Sequence, residues 1–177
     1  MAKLTSAAWI AHDVGLATAI GGTLFGKQAL HPALSEVESE RDRARLADVA
    51  WRRFSWINLA AHGVVAVTWF VGRKMLTGRE VSPLSRQLTV AKDAMIAVSL
   101  VTGVASVILG RVLGQRTRDT TRTSAQDDRV NQSLRKAVGT VGTVNLLVNA
   151  GIGGITTALS MEASQSLPFA YVSRRLP

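Results

Sequence analysis

The sequence predicts an all-α fold, a four-transmembrane-helix bundle with a cytoplasmic interfacial helix between helices 1 and 2. Four apolar stretches are each about as long as a bilayer is thick, and arginine-rich loops separate them. Hydrophobic residues make up 47% of a chain that also carries 21 Lys and Arg, because the two classes lie in separate blocks. The predicted spans are residues 7–30, 54–71, 91–112 and 137–159.

A soluble four-helix bundle is the alternative, and it requires a polar face on every helix. Residues 94–110 contain no charged side chain. Between residues 137 and 160 the strongest polar groups are Asn145 and Asn149. A helix that is apolar on every side has no polar face for contact with water, so the pattern favours a membrane protein over a soluble bundle.

Length, charge and cysteine content bound the function. The 177 residues are occupied mainly by the spans, so we expect one integral membrane domain over residues 1–177 and no separate catalytic domain. The absence of cysteine excludes disulfides and thiolate metal ligands. The net charge of +9 lies in loops beside the spans, which favours anionic lipid headgroups over nucleic acid as partners.

The first span resembles a signal peptide, because Lys3 precedes an apolar run. The run is longer than the usual apolar region of about 7–15 residues and contains His12 and Asp13. We therefore expect a retained first span.

Loop charges predict the orientation. The loops 27–53 and 111–136 together hold thirteen Lys and Arg, and the rest of the chain holds eight. The positive-inside rule then places both termini outside the cytoplasm of a multi-pass protein in the cell inner (plasma) membrane.

Two of the loops have sequence patterns that predict their structure. Residues 35–51 have mixed charges at helical spacing and a narrow apolar face, which predicts the interfacial helix, with Trp51 and Trp56 at headgroup level. Residues 114–131 are polar without an apolar period, and we expect a mobile loop there.

Small and polar residues mark the helix faces that should pack. Two such faces are predicted to meet. The face on the first span consists of His12, Gly15, Ala19, Gly22 and Gly26. The face on the third span consists of Lys92, Ser99, Gly103, Ser106 and Gly110. On the fourth span a polar face should turn into the bundle, because amides facing lipid would stay unpaired: Gly142, Asn145, Asn149 and Thr156.

Titratable groups inside a bilayer are costly and are therefore functional candidates. They are His12, Asp13, His62, Lys92 and Asp93. His12 and Lys92 begin spans that run in the same direction, so both should lie at similar depth. The structural alternative is that Lys92 and Asp93 extend to the interface and that the histidines only hydrogen-bond neighbouring helices.

The order of several short motifs resembles the four-helix membrane proteins related to copper-resistance D domains and bacterial membrane protoporphyrinogen oxidase. These motifs are His12 with Gly21-Gly22, Arg52-Arg53-Phe54-Ser55, Lys92 and Arg111. In the oxidase branch a first-helix His and a third-helix Lys are functional and haem b is bound, which the resemblance carries onto His12 and Lys92. The sequence departs from that branch at Leu16-Ala17-Thr18, where the family has an aromatic pair.

The residues themselves offer little for copper, since soft copper sites use sulfur and only Met95 lies inside a span. Haem b needs two axial donors, and imidazole is the usual one. His12 with His62 is the simplest pair, with Lys92 as another ligand or as a cation for a propionate. No protein metal site and no hydrolytic constellation is predicted.

Two classes of function remain. The first, which we favour, is a non-enzymatic membrane component or subunit of a larger assembly, which includes a homo-oligomer. The second is a haem b-binding membrane redox protein acting on a tetrapyrrole or quinone. A Soret band separates the two classes.

Overall fold

The computed structural model describes residues 2–76, 82–118 and 125–164, and within these ranges the regular structure is helical. The helices are α1 (Ala2–Phe25), α2 (His31–Ser35), α3 (Glu40–Leu76), α4 (Pro83–Arg118) and α5 (Ala125–Ser164), with a π-helix at Gly26–Leu30 between α1 and α2. The predicted all-α class is confirmed.

Three helices are long and apolar enough to cross a membrane, within Glu40–Gly72, Pro83–Arg116 and Arg129–Glu162. These regions contain the second, third and fourth predicted spans. The first predicted span is helical over α1 and the π-helix, but it is not among the three.

The helices extend well beyond the apolar stretches into charged sequence. The Ser39 side chain accepts a hydrogen bond from the Asp42 amide at 3.3 Å, which caps the start of α3. Residues 40–51 therefore continue into α3 without a break, and their position at a membrane interface stays a prediction.

The mobile loop predicted at residues 114–131 is wrong for its described parts. Residues 114–118 end α4 and residues 125–131 begin α5, and the remainder lies outside the described residues. Polar residues without an apolar period can still form helix when a long helix continues through them, since propagation is easier than nucleation.

The four long helices form a ring. α1 packs against α3 and α5, and α4 also packs against α3 and α5, so α1 and α4 are diagonally opposite. The predicted contact between the small-residue faces of α1 and α4 is therefore wrong. A helix face shows that a helix packs closely, but it does not show which neighbour it packs against.

Gly22 of α1 and Gly26 at the start of the π-helix instead admit aromatic rings from α3. A Cβ atom on Gly22 would lie 2.0 Å from the Phe54 ring, and one on Gly26 would lie 2.5 Å from the Trp51 ring. The Trp51 and Phe54 rings themselves pack edge to face at 5.8 Å. The absence of a side chain at these two positions lets α1 and α3 approach closely.

The bundle interior is built in three layers. The apolar layer consists of Leu16, Val65, Ile96 and Ile152, one residue from each long helix, and these side chains belong to one buried cluster. One turn away on one side is the lysine layer, which we define as His12, Trp69, Lys92 and Thr156. On the other side is the amide layer, defined as His62, Ser99, Asn145 and Asn149.

Candidate functional site: the lysine layer

His12 is held in one orientation by α3. Its Nδ1 lies 3.1 Å from the Val65 carbonyl oxygen and 3.1 Å from Thr68 Oγ1. A carbonyl can only accept, so Nδ1 carries the proton and Nε2 has a free lone pair. Nε2 is buried and has no hydrogen-bond partner within the described residues. This is the arrangement in which a histidine is ready to accept a proton or bind a metal.

Lys92 is fully buried, with 0% of the residue exposed. Its ammonium donates to Thr156 Oγ1 at 2.7 Å. The same nitrogen lies 3.9 Å from the centre of the Trp69 ring and 5.6 Å from that of Trp9. Cation–π attraction of this kind stabilises a desolvated ammonium by about 2 kcal/mol. The Lys92 side chain therefore points into the bundle and not outward from it.

Trp69 connects the charged groups of this layer. Its indole Nε1 donates to Asp93 Oδ1 at 2.8 Å, and its ring face covers the Lys92 ammonium. His12 packs against Trp9 and Trp69 with ring centroids 5.8 and 6.4 Å apart. The lysine layer and its neighbours Trp9 and Asp93 thus place an imidazole, an ammonium and a carboxylate around two indole rings.

His62 lies in the amide layer and makes different contacts. Its Nδ1 donates to the Asn58 carbonyl at 2.6 Å. Its Nε2 lies within hydrogen-bond distance of the side-chain amide nitrogens of Asn145, at 3.2 Å, and Asn149, at 3.3 Å, and its single lone pair accepts from one of them at a time. Both nitrogens are therefore engaged.

The amide layer joins three helices. The Asn145 amide also donates to the Ser99 carbonyl at 3.0 Å and to Thr102 Oγ1 at 2.8 Å, and Ser99 Oγ donates to Asn149 Oδ1 at 2.9 Å. Asn145, Asn149 and Thr156 are all buried. The inward-facing polar face predicted for the fourth span is confirmed for these three residues.

The structure thus brings together two of the three predicted site residues. His12 and Lys92 share the Trp9 and Trp69 rings, although α1 and α4 are diagonal, whereas the apolar layer separates His62 from both. Sequence reasoning missed the role of the tryptophans. The available signal was Trp69 on the same helix face as His62, and Trp9 one turn before His12.

The haem b prediction can be compared with these donors. His12 Nε2 fits an axial ligand, because it has no hydrogen-bond partner within the described residues and the hydrogen bond from Nδ1 to the Val65 carbonyl orients the ring. Two side-chain amides lie against His62 Nε2 and occupy its lone pair, so the His12–His62 pair does not fit as it stands. The assignment of haem b to His12, His62 and Lys92 stays a prediction. Among the described residues, no group of three or more His, Cys, Asp or Glu could hold a metal ion.

The chain matches no known family model, and no curated protein and no solved structure is significantly similar to it.

Proposed function

We propose that this chain is a polytopic protein of the inner (plasma) membrane in which α1 is a fourth span. Most outward positions of α1 beyond its first turns are apolar: Ile10, Val14 and Phe25 are 64, 60 and 63% exposed, and the charged Asp13 is exposed nearer the start of the helix. Its polar residues His12 and Thr23 are buried in the bundle. Mean hydropathy averages both faces of a helix, whereas lipid contacts only the outer face.

The observation that carries the membrane proposal is an inverted distribution of polarity. The buried side chains include as many polar or charged residues as hydrophobic ones, while large hydrophobic residues are exposed along all four long helices. Examples are Val67 and Val101, which are 63 and 68% exposed. A water-soluble protein rarely exposes apolar patches of this extent, whereas lipid tails favour them.

Within the membrane, we favour a non-enzymatic role as a component of a larger assembly. The polar interior is used mainly to join helices, since Asn145 and Asn149 bond α3, α4 and α5, and Lys92 bonds α5. Cations such as Lys27 and Arg111 lie near the ends of the spans that are farther from the lysine layer. Their charge suits anionic lipid headgroups at the cytoplasmic face. Both termini then lie outside the cytoplasm.

Extraction and labelling test the placement in the membrane. The protein should stay with membranes after high-salt and carbonate washes and should require detergent. In the cysteine-free chain, a thiol introduced at Ser39 should react with an impermeant reagent from the cytoplasmic side, and one at Ser82 from the other side. Recovery in the soluble wash contradicts the membrane proposal, and reversed labelling contradicts only the orientation.

The second candidate is a haem b-binding redox protein acting on a tetrapyrrole or quinone, as the family resemblance implies. The free and oriented Nε2 of His12 favours it. Protein expressed with an adequate haem supply should then show a Soret band that His12→Ala abolishes, whereas His31→Ala, outside the spans, should retain it. A colourless protein that haem b does not reconstitute eliminates this candidate.

A further inference from the structure

A groove between α1 and α3 lies on the outer surface of the bundle, and we call it the α1–α3 groove. It has a volume of about 360 Å³. Small residues form its floor, Ala11 and Gly15 of α1 and Ala61 of α3, and exposed larger residues such as Val14 and Ile57 form its sides. A Cβ atom on Gly15 would lie 3.0 Å from the Ala61 carbonyl oxygen, so the two backbones meet at the floor and leave open space above it.

The side chains of the groove offer no free hydrogen-bond donor to an occupant. Among the described residues that line it, Thr18 alone is polar, and its hydroxyl donates to the Val14 carbonyl within α1 at 2.7 Å. The residues from Ala11 to Thr18 cover about 10 Å along α1. A groove of this volume and length has a cross-section of about 35 Å², less than half of the roughly 80 Å² of an α-helix. A hydrocarbon chain fits within it, whereas a whole helix does not.

A cation lies in line with the groove, at the end that the proposed orientation places at the cytoplasm. Arg53 and Ile57 are four residues apart on α3, so both lie on the same face, about 6 Å apart along the helix. Arg53 is exposed and makes no ion pair or hydrogen bond with the rest of the described chain. Asp13 is two residues from both Ala11 and Gly15 and therefore lies on the opposite side of α1. The charge next to the groove is thus positive.

The surface between the groove and Arg53 is open at Gly21. This residue follows Thr18 by one turn of α1, and a Cβ atom on it would meet nothing within 4 Å. Its neighbour Gly22 faces the ring of Phe54, the residue after Arg53, so Gly21 and Arg53 lie at the same level of the bundle. At this position α1 therefore leaves the surface open up to the level of the cation.

We propose that the α1–α3 groove and Arg53 together bind one anionic glycerophospholipid, with an acyl chain in the groove and the phosphate at Arg53. This site rests on the membrane placement proposed above, and it gives the general attraction to anionic headgroups a defined location. The acyl chain contacts a lining without free donors, and a guanidinium binds a phosphate through two parallel hydrogen bonds. A neutral isoprenoid lipid would use the groove but gain nothing from Arg53, so the charge favours the phospholipid.

Native mass spectrometry tests this site in the full chain, purified in detergent and titrated with phosphatidylglycerol or phosphatidylcholine of the same acyl chains. Arg53→Gln removes the charge, and Ala60→Phe fills the groove from an exposed position of its lining. The matched controls are Arg135→Gln, just before the predicted fourth span, and Ala97→Phe, at an exposed position of α4. An unchanged thermal transition shows that a variant folds.

We expect one phosphatidylglycerol molecule to bind at least about fivefold more tightly than phosphatidylcholine, because one cation near the membrane surface contributes that factor. Arg53→Gln should lower the affinity for phosphatidylglycerol by about fivefold and leave that for phosphatidylcholine unchanged. Ala60→Phe should weaken the binding of both lipids. The two controls should change either affinity by less than about twofold.

Equal affinity for the two lipids, or equal losses in Arg53→Gln and Arg135→Gln, overturns the headgroup site. If Ala60→Phe and Ala97→Phe weaken binding alike, the acyl chain does not lie in the groove; if Ala60→Phe does not fold, the two arginine variants decide. Binding of decylubiquinone that only Ala60→Phe abolishes, with phosphatidylglycerol unaffected, makes the occupant a neutral quinone. A dimer that Ala60→Phe dissociates, with no lipid retained, makes it a second copy of the chain. A protein that stays monodisperse without detergent contradicts the membrane placement itself.

Discussion

Adjacent glycines on α1 should respond in opposite ways to the same substitution. Gly21 faces outward, and a Cβ atom there would meet nothing within 4 Å, whereas a Cβ atom on Gly22 would lie 2.0 Å from the Phe54 ring. Replacing glycine by alanine in a helix contributes up to about 1 kcal/mol through propensity. Gly21→Ala should therefore raise the free energy of unfolding by up to about 1 kcal/mol.

Gly22→Ala carries the same gain but forces the Phe54 ring to move against its packing with Trp51. Overpacking of this kind costs about 1–3 kcal/mol. The two variants should consequently differ by about 1–3 kcal/mol, with Gly22→Ala the less stable. Titration with sodium dodecyl sulfate in mixed micelles, followed by far-ultraviolet circular dichroism, measures both values.

A double mutant identifies the cause. Phe54→Leu removes the ring atoms that Gly22→Ala would meet, so the combined variant should be more stable than the sum of the single effects predicts, by at least about 0.5 kcal/mol. Equal stability of Gly21→Ala and Gly22→Ala, or strict additivity in the double mutant, would refute the close contact between α1 and α3.

The remaining predictions concern the polar layers. Asn145→Leu combined with Asn149→Leu should lower the thermal stability in detergent, by about 0.6–2 kcal/mol for each inter-helix bond lost; an unchanged transition contradicts the amide layer as a helix contact. Lys92→Met should change the free energy of unfolding by less than about 2 kcal/mol, because the cost of placing a charge in the membrane, about 2.5–3.5 kcal/mol, opposes the gain from Trp69 and Thr156. The same variant should also shift the wavelength of the tryptophan emission maximum. An unaltered emission spectrum would show that the ammonium does not lie over an indole ring.

The apolar blocks of the sequence predicted the helices and the inward amides, because both follow from the pattern within one helix. Asn145, Asn149 and Thr156 share a face, and a polar face cannot remain against lipid. His12 and Lys92 lie beside the same two indole rings, in agreement with the similar depth that the sequence predicted, since the depth of a residue along its helix can be counted from the sequence.

Features that depend on the neighbour of each helix could not be predicted in this way. The face containing Gly22 and Gly26 gave no indication that Phe54 and Trp51 of α3 would fill it. The separation of His62 from His12 likewise depends on Val65 and its partners in the apolar layer, which come from four distant parts of the chain. Helix lengths were underestimated because charged sequence without an apolar period was interpreted as loop.

The uninterrupted length of α3 has a mechanical consequence. Its 37 residues correspond to a rod of about 55 Å, nearly twice the thickness of a hydrocarbon core. A rod of that length converts a small rotation at one end into a large displacement at the other: a tilt of 10° moves the tip sideways by about 10 Å. A change in the tilt of α3 that begins beside Trp69, near one end of the helix, would therefore displace Glu40 sideways at the other end.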